Sequence, residues 1–197
     1  LPIGVTVDPK TSTVYIANEN GNSVSVIKEA TNTVTATIPV GQAPLAIAAN
    51  PQTGRVYVAN VVSNTVSVIS ARTNQVTATI RAGDGLSAVA VDPRTDRIYV
   101  ANAFSGSVSV INGATNQVIA TITVGLQPQG VAVDPRTGTV YVAQFRGNSV
   151  TVIHGTTGPA TATIPVGKTP QQLAFDTASG AIYVANMGGN TVSVLSP

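Results

Sequence analysis

Apolar and polar positions alternate along most of this chain with a period of two, and turn residues break the alternation at short intervals. Thr33-Val34-Thr35-Ala36-Thr37-Ile38 shows it plainly. In an extended strand the threonines take one face and Val34, Ala36 and Ile38 the other. No helical period is present. The stretch from Ala88 to Val124 predicts four strands. Ala88–Val91 is apolar on both faces. Asp92-Pro93-Arg94-Thr95-Asp96 supplies turn chemistry. Arg97–Ala101, Ser107–Ile111 and Gln117–Val124 follow, separated by a loop at Asn102–Gly106 and a turn at Asn112–Asn116.

The whole pattern recurs. Tyr15, Tyr57, Tyr99, Tyr141 and Tyr183 are each 42 residues apart, with no insertion or deletion between copies. Asp8, Asn50, Asp92, Asp134 and Asp176 keep the same step, as do Pro2, Pro44, Leu86, Pro128 and Pro170. A strict β-type period in this range is the signature of propeller blades. The expected fold is therefore all-β, a β-propeller of five 42-residue blades of four antiparallel strands, with the last blade lacking its outermost strand. Residues 1–197 form one propeller domain on this reading, with repeats 1–43, 44–85, 86–127, 128–169 and 170–197. The doubly apolar first strand belongs near the axis. The Thr-rich fourth strand belongs at the rim. Val and Tyr of the middle strands are expected to fill the space between blades.

DPRTGTVYVA at 134–143, NTVSVI at 64–69 and TNTVTATIPVG at 31–41 resemble the YVTN family of β-propeller repeats, and the resemblance runs over all 197 residues. Ala stands where the family often has Thr in its name-giving word. The resemblance implies a propeller, often secreted or at the cell surface, with proteins of archaeal surface layers among its members. It implies no single reaction.

The fifth copy stops at Ser196-Pro197 after its third strand, without a counterpart of Thr157–Val166. Strand Val192–Leu195 is then an open edge suited to pairing with another chain. A ring of five blades, or a fragment of a longer propeller of seven blades for example, is expected over an open arc. An arc exposes the apolar sides of two terminal blades. The chain opens at Leu1 rather than Met, as a processed product or a fragment does.

Composition narrows the partners. Hydrophobic residues make up 43% of the chain, enough for a packed core, and charged residues only 9%. The surface is then built of Thr, Ser, Asn, Gln and Gly, as on many extracellular β proteins. Extracellular space or the cell envelope is the expected location. A net charge of +2 is too small to argue for nucleic acid or an anionic membrane. With no Cys there is no disulfide, thiolate metal site or thiol nucleophile. No apolar run reaches the length of a membrane span.

Comparing the copies separates frame from variable surface. The turns after strands one and three are monotonous (DPKTST, NPQTGR, DPRTDR, DPRTGT, DTASGA), and their Asp and Asn read as turn caps rather than metal ligands. The loops on the opposite face diverge. They carry Glu19, Asn20, Val62, Phe104, Phe145, Arg146 and Met187 after strand two, and Asp84 and Lys168 before strand one. Just inside strand one the copies read Ile3, Leu45, Ser87, Gln129 and Gln171, with Gln172 beside the last. Two of the chain's three Phe and its one Met fall in these loops, as befits a binding surface.

Catalytic constellations are not legible. His154 is the one histidine and sits on the monotonous face, so no His-based triad or His cluster is expected. Glu19 and Asp84 come from non-adjacent blades, too far apart for a carboxylate pair acting within about 10 Å. No helix follows any Gly-rich loop to hold phosphate. No catalytic residue, metal or cofactor is assigned. The expected function is a non-catalytic binding or envelope structural module, with a protein, small polar ligand or glycan at the loop face. Self-association through Val192–Leu195 is a further partner expectation, and nucleic acid is disfavoured. The alternative is a propeller enzyme of lyase or lactone hydrolase type, with polar groups at the channel mouth; it rests on fold analogy.

Overall fold

The computed structural model describes residues 1–155 and 158–196. Thr157 and Pro197, named in the strand reading above, lie outside them. Five antiparallel sheets follow one another along the chain, each with its strands in sequence order. Blade 1 holds β1 (Pro2–Asp8), β2 (Thr13–Asn18), β3 (Ser23–Lys28) and β4 (Thr33–Pro39). Blade 2 holds β5 (Pro44–Asn50), β6 (Arg55–Asn60), β7 (Thr65–Ser70) and β8 (Gln75–Arg81). Blade 3 holds β9 (Leu86–Asp92), β10 (Arg97–Asn102), β11 (Ser107–Asn112) and β12 (Gln117–Thr123). Blade 4 holds β13 (Pro128–Val133), β14 (Val140–Gln144), β15 (Ser149–Ile153) and β16 (Ala160–Pro165). Blade 5 stops at three strands, β17 (Pro170–Phe175), β18 (Ile182–Asn186) and β19 (Thr191–Leu195). This is the expected all-β propeller, including the three-stranded last blade.

First strands line the axis, packing in the order β1, β5, β9, β13, β17. Alternation then decides what meets between blades. Along β2 and β3, Tyr15, Ala17, Val24 and Val26 point toward blade 2. They meet Ile47, Val56, Val58 and Ile69, which point back from the other face of its sheet. The next joint repeats the scheme with Tyr57, Ala59, Val66 and Val68 against Leu86, Ile98, Val100 and Ile111. Two more joints follow, blade 3 to blade 4 and blade 4 to blade 5. Burying one such side chain is worth roughly 2 kcal/mol, against about 1 for a typical hydrogen bond. Apolar joints therefore dominate the cohesion of the fold.

One expectation is corrected. The five blades form an open arc and not a closed ring. Tyr15, Tyr57 and Tyr99 are at most 1% exposed, whereas Tyr183, at the same place in blade 5, is 42% exposed. Val192 and Val194 beside it are 63% and 55% exposed, and across the gap Val5 of blade 1 is 65% exposed. The repeat specifies each pairwise joint. Closure depends on the angle summed over all joints, and five steps do not complete the circle.

On the turn face the repeated Asp and Asn cap the first turn, as expected. Asp8, Asn50, Asp92, Asp134 and Asp176 each accept the N–H two residues on, at 2.8 to 3.0 Å. Thr95, Thr137 and Ser179 add hydroxyl donors to the second oxygen of their aspartates. Burial pulls the Asp134 carboxyl upward, but the Arg136 N–H and guanidinium and the Thr137 hydroxyl outweigh it and hold the group below the ordinary aspartate range. A pKa lowered by folding adds stability that is present above the unfolded value, about 3.9, and is lost as pH falls through the folded one. Asp134→Asn keeps the acceptor, as Asn50 does naturally, and removes the titration. Urea unfolding at a series of pH values below the ordinary aspartate range is expected to show a shallower acid loss for the variant. Equal acid slopes for the two proteins would contradict this assignment.

Candidate functional site

Each first strand carries one β-bulge at the same place. Pairing with the second strand slips between Pro2 and Gly4, between Pro44 and Ala46, between Pro128 and Gly130, and between Pro170 and Gln172. In blade 3, Ala101 pairs with Ala88 and Asn102 with Leu86, which leaves Ser87 over. The extra residue is thus Ile3, Leu45, Ser87, Gln129 or Gln171. A bulge re-aims a side chain out of the ladder. All five of these residues line one axial cavity of about 540 Å³, together with Gln172, Val5, Ile47, Val89 and Val131. This volume lies within the range of small-molecule sites.

The axial wall is sided. Ile3 and Leu45 make it apolar on blades 1 and 2, and Ser87, Gln129, Gln171 and Gln172 make it polar on blades 3 to 5. Ser87 Oγ donates to the carbonyl of Pro128 at 2.7 Å and to that of Ala101 at 3.3 Å, tying blade 3 to blade 4. Gln129 and Gln171 are half-buried and Gln172 is exposed.

A second hollow, about 290 Å³, opens between the loop tips of blades 3 and 4, lined by Ala103, Phe104, Leu126, Gln127 and Arg146. Phe104 and Arg146 occupy the same repeat position in successive blades. Phe104 is 80% exposed. Its ring lies over the backbone of Gly85, where a Cβ would come within 2.6 Å of it, and Gly85 has φ of +67°. A side chain at Gly85 would therefore be strained and would lift the ring. Met187 borders a third hollow with Asn190 and Val192, on the open side of blade 5.

The residues expected for a loop-face site thus divide. Gln129, Gln171 and Gln172 meet in the axial cavity, Phe104 and Arg146 in the tip groove, and Met187 stands apart at the open face. Glu19, Asn20, Val62, Asp84, Phe145 and Lys168 line none of these three hollows. Phe145 is half-buried, and Asp84 accepts a hydrogen bond from Asn64 Nδ2 at 3.2 Å. Ser87, Ile3, Leu45, Leu126 and Gln127 were not among the expected site residues. Divergence between copies marked their positions, but the bulge that aims the first three inward leaves no word in the sequence. His154 is exposed on the turn face with Nδ1 3.2 Å from Thr139 Oγ1. Among the described residues, no three of His, Cys, Asp or Glu gather as metal ligands, and no helix is long and apolar enough to cross a membrane.

The divergent loops stand on a repeated polar joint. Asn102 Nδ2 donates to Ser107 and Ser109 at 3.1 and 2.9 Å. Gly83 of the preceding repeat packs against that amide so closely that a Cβ would meet it at 2.6 Å. Asn60 and Asn186 repeat the arrangement with Gly41 and Gly167. Asn22, Asn64 and Asn148, in left-handed backbone with φ of 47°, 53° and 48°, accept the N–H of Ala43, Gly85 and Thr169, the last residue of each repeat before the next blade, at 2.9 Å.

Comparison with known proteins bears on the fold. The sequence profile of the YNCE-like beta-propeller family matches residues 5–93, the first two repeats and the start of the third. Among solved structures, Kuenenia stuttgartiensis hydrazine synthase is similar with a TM-score of 0.87 at 24% identity, over 93% of this chain and 55% of that one. A functionally unknown protein from Desulfotomaculum acetoxidans DSM 771 is similar with a TM-score of 0.86 at 13% identity, over 99% of this chain and 69% of that one. The chain thus spans about half the length of the hydrazine synthase chain. At these identities the likeness shows the propeller fold. No curated protein sequence matches the chain.

Gln144 takes the Asn position in blade 4, and both of its amide atoms are buried without a partner. A shorter Asn there would reach Ser149 and Thr151, as Asn102 reaches Ser107 and Ser109. Gln144→Asn is expected to stabilise the chain by about 1 kcal/mol in urea unfolding. A destabilised variant would contradict this account of the joint.

Proposed function

We propose that the chain is a non-catalytic binding module, and that its axial cavity takes a small neutral ligand bearing hydroxyl or amide groups, a glycan segment being the best fit. The observation that carries this reading is the set of five bulged residues converging on one cavity, apolar on one side and amide-rich on the other. Glutamine amides offer both donors and acceptors, as a sugar's hydroxyls require, and Ile3 and Leu45 suit a sugar's apolar face. No side chain of the wall titrates near neutral pH, so the wall holds a ligand but has no group to move a proton.

The tip groove supports a protein contact as a second use of the same face. Phe104 and Leu126 beside Arg146 suit an apolar side chain next to a carboxylate. Hydrazine synthase is an enzyme, and a lyase or hydrolase reading for this chain would follow from that likeness. The Ser87 hydroxyl, already donating to two carbonyls, is not poised as a nucleophile, so the binding reading is kept. Placement outside the cell or in its envelope, as for surface-layer proteins, is proposed from the low charge and the YVTN-like words.

A glycan array followed by calorimetry on the best ligand tests the reading. Gln129→Ala and Gln171→Ala are each expected to weaken binding roughly tenfold. The affinity is expected to be nearly independent of salt, because no charge lines the wall. An array without ligands, or binding unmoved by both substitutions, would contradict the axial site. Salt-sensitive binding lost in Phe104→Ala or Arg146→Ala would transfer the function to the tip groove.

A further inference from the structure

We infer that the groove between the loop tips of blades 3 and 4 captures the C-terminus of another polypeptide, taking an aliphatic last side chain together with the free main-chain carboxylate. The inference rests on the reading of this groove as a protein contact and names the partner's chemistry. It starts from a departure in the repeat. In blades 1, 2 and 4 an asparagine at the end of the loop after the second strand accepts the N–H of Ala43, Gly85 or Thr169 at 2.9 Å. In blade 3 Gly106 stands at the asparagine position and Gln127 at the linker position. Gly125, with φ of +127°, runs so close that a Cβ on Gly106 would meet its carbonyl oxygen at 2.6 Å. An asparagine therefore does not fit there, and no asparagine carbonyl meets the Gln127 N–H. The backbone of Gln127 is otherwise placed as in the other linkers. Its φ is 56°, against 53° at Ala43 and 49° at Thr169. Its carbonyl accepts the Phe145 N–H as that of Ala43 accepts the Val61 N–H.

The surroundings of that N–H fit a carboxylate beside an apolar group. Gln127 borders the hollow of about 290 Å³ with Ala103, Phe104, Leu126 and Arg146. Among the described residues no acid pairs with the Arg146 guanidinium. A carboxylate here accepts from Arg146 and from the Gln127 N–H, in the place that the asparagine carbonyl holds in the other blades. Phe104 and Leu126 are 80% and 66% exposed, and an aliphatic side chain laid across them removes apolar surface from water. Gln127 Oε1 is buried without a partner among the described residues. Turned outward, it accepts the N–H of the ligand's last peptide bond. A C-terminal residue brings the side chain, the carboxylate and the N–H on one unit. An internal acidic residue needs a neighbour for the apolar contact, and the hollow, about half the volume of the axial cavity, is small for two. Blades 3 and 4 each have a blade on both sides, so this surface belongs to the interior of the repeat array.

Calorimetric titration with three acetylated hexapeptides tests the inference. One ends in Ala-Leu with a free carboxylate, the second is the same peptide amidated, and the third is amidated and carries an internal Leu-Asp pair. The first is expected to bind at least about tenfold tighter than the other two. Arg146→Gln and Phe104→Ala are each expected to weaken it about tenfold, with circular dichroism to check their fold. Added salt is expected to weaken it as well. In proton–nitrogen correlation spectra, the Gln127 amide is expected to move downfield when the first peptide is added. Equal binding of the amidated peptide, or a Gln127 amide that does not move, overturns C-terminal capture. If Phe104→Ala still weakens binding in that case, the groove remains a protein contact of another kind. Preference for the internal acid overturns the inference in favour of a side-chain carboxylate. If none of the three peptides binds at millimolar concentration, or if binding ignores both substitutions, the capture and the protein-contact reading of the groove fall together.

Discussion

Everything in this molecule depends on one contact, the apolar face-to-face packing of successive blades. A four-stranded sheet cannot bury both of its faces alone. Here one face of β2 and β3 presents Tyr15, Ala17, Val24 and Val26, and the next sheet answers with Ile47, Val56, Val58 and Ile69. The strict spacing follows from this demand. An insertion of one residue would turn the Tyr and Val set to the wrong side of its sheet. The polar fittings, the asparagine amides with their serines and the glycines that lie on them, set the register of a contact whose energy is hydrophobic.

The same frame makes a variable surface possible. Because the joints hold each first strand in place, one bulge per blade places one side chain at the axis, outside the apolar joints between blades. Ile3, Leu45, Ser87, Gln129 and Gln171 differ for that reason. The loop tips obey the same logic, with Phe104 and Arg146 at one position of the repeat. A near-symmetric frame carries an asymmetric, uncharged wall, suited to holding a neutral ligand.

Much of this was legible in the residues. The tyrosine spacing set the blade, and the alternation assigned the inter-blade faces. The turn aspartates read correctly as caps because Asp-Pro and Asn-Pro words carry their own local geometry. Ring closure did not read correctly, since periodicity describes one joint and closure is a sum of joint angles. Ser87 was passed over because a bulge has no letter of its own. Phe145 looked equivalent to Phe104 by composition, but it sits one repeat position earlier, where its backbone N–H is tied to Gln127 and its ring is half-buried.

Hydrogen exchange, read strand by strand, tests the central claim most directly. If the joints hold the fold, amides of β6 and β10, between two covered faces, exchange slowest, and those of β2, β18 and β19, beside the open faces, exchange markedly faster. Equal protection across all five blades would contradict the account, because it would mean that each sheet is stable without its neighbours.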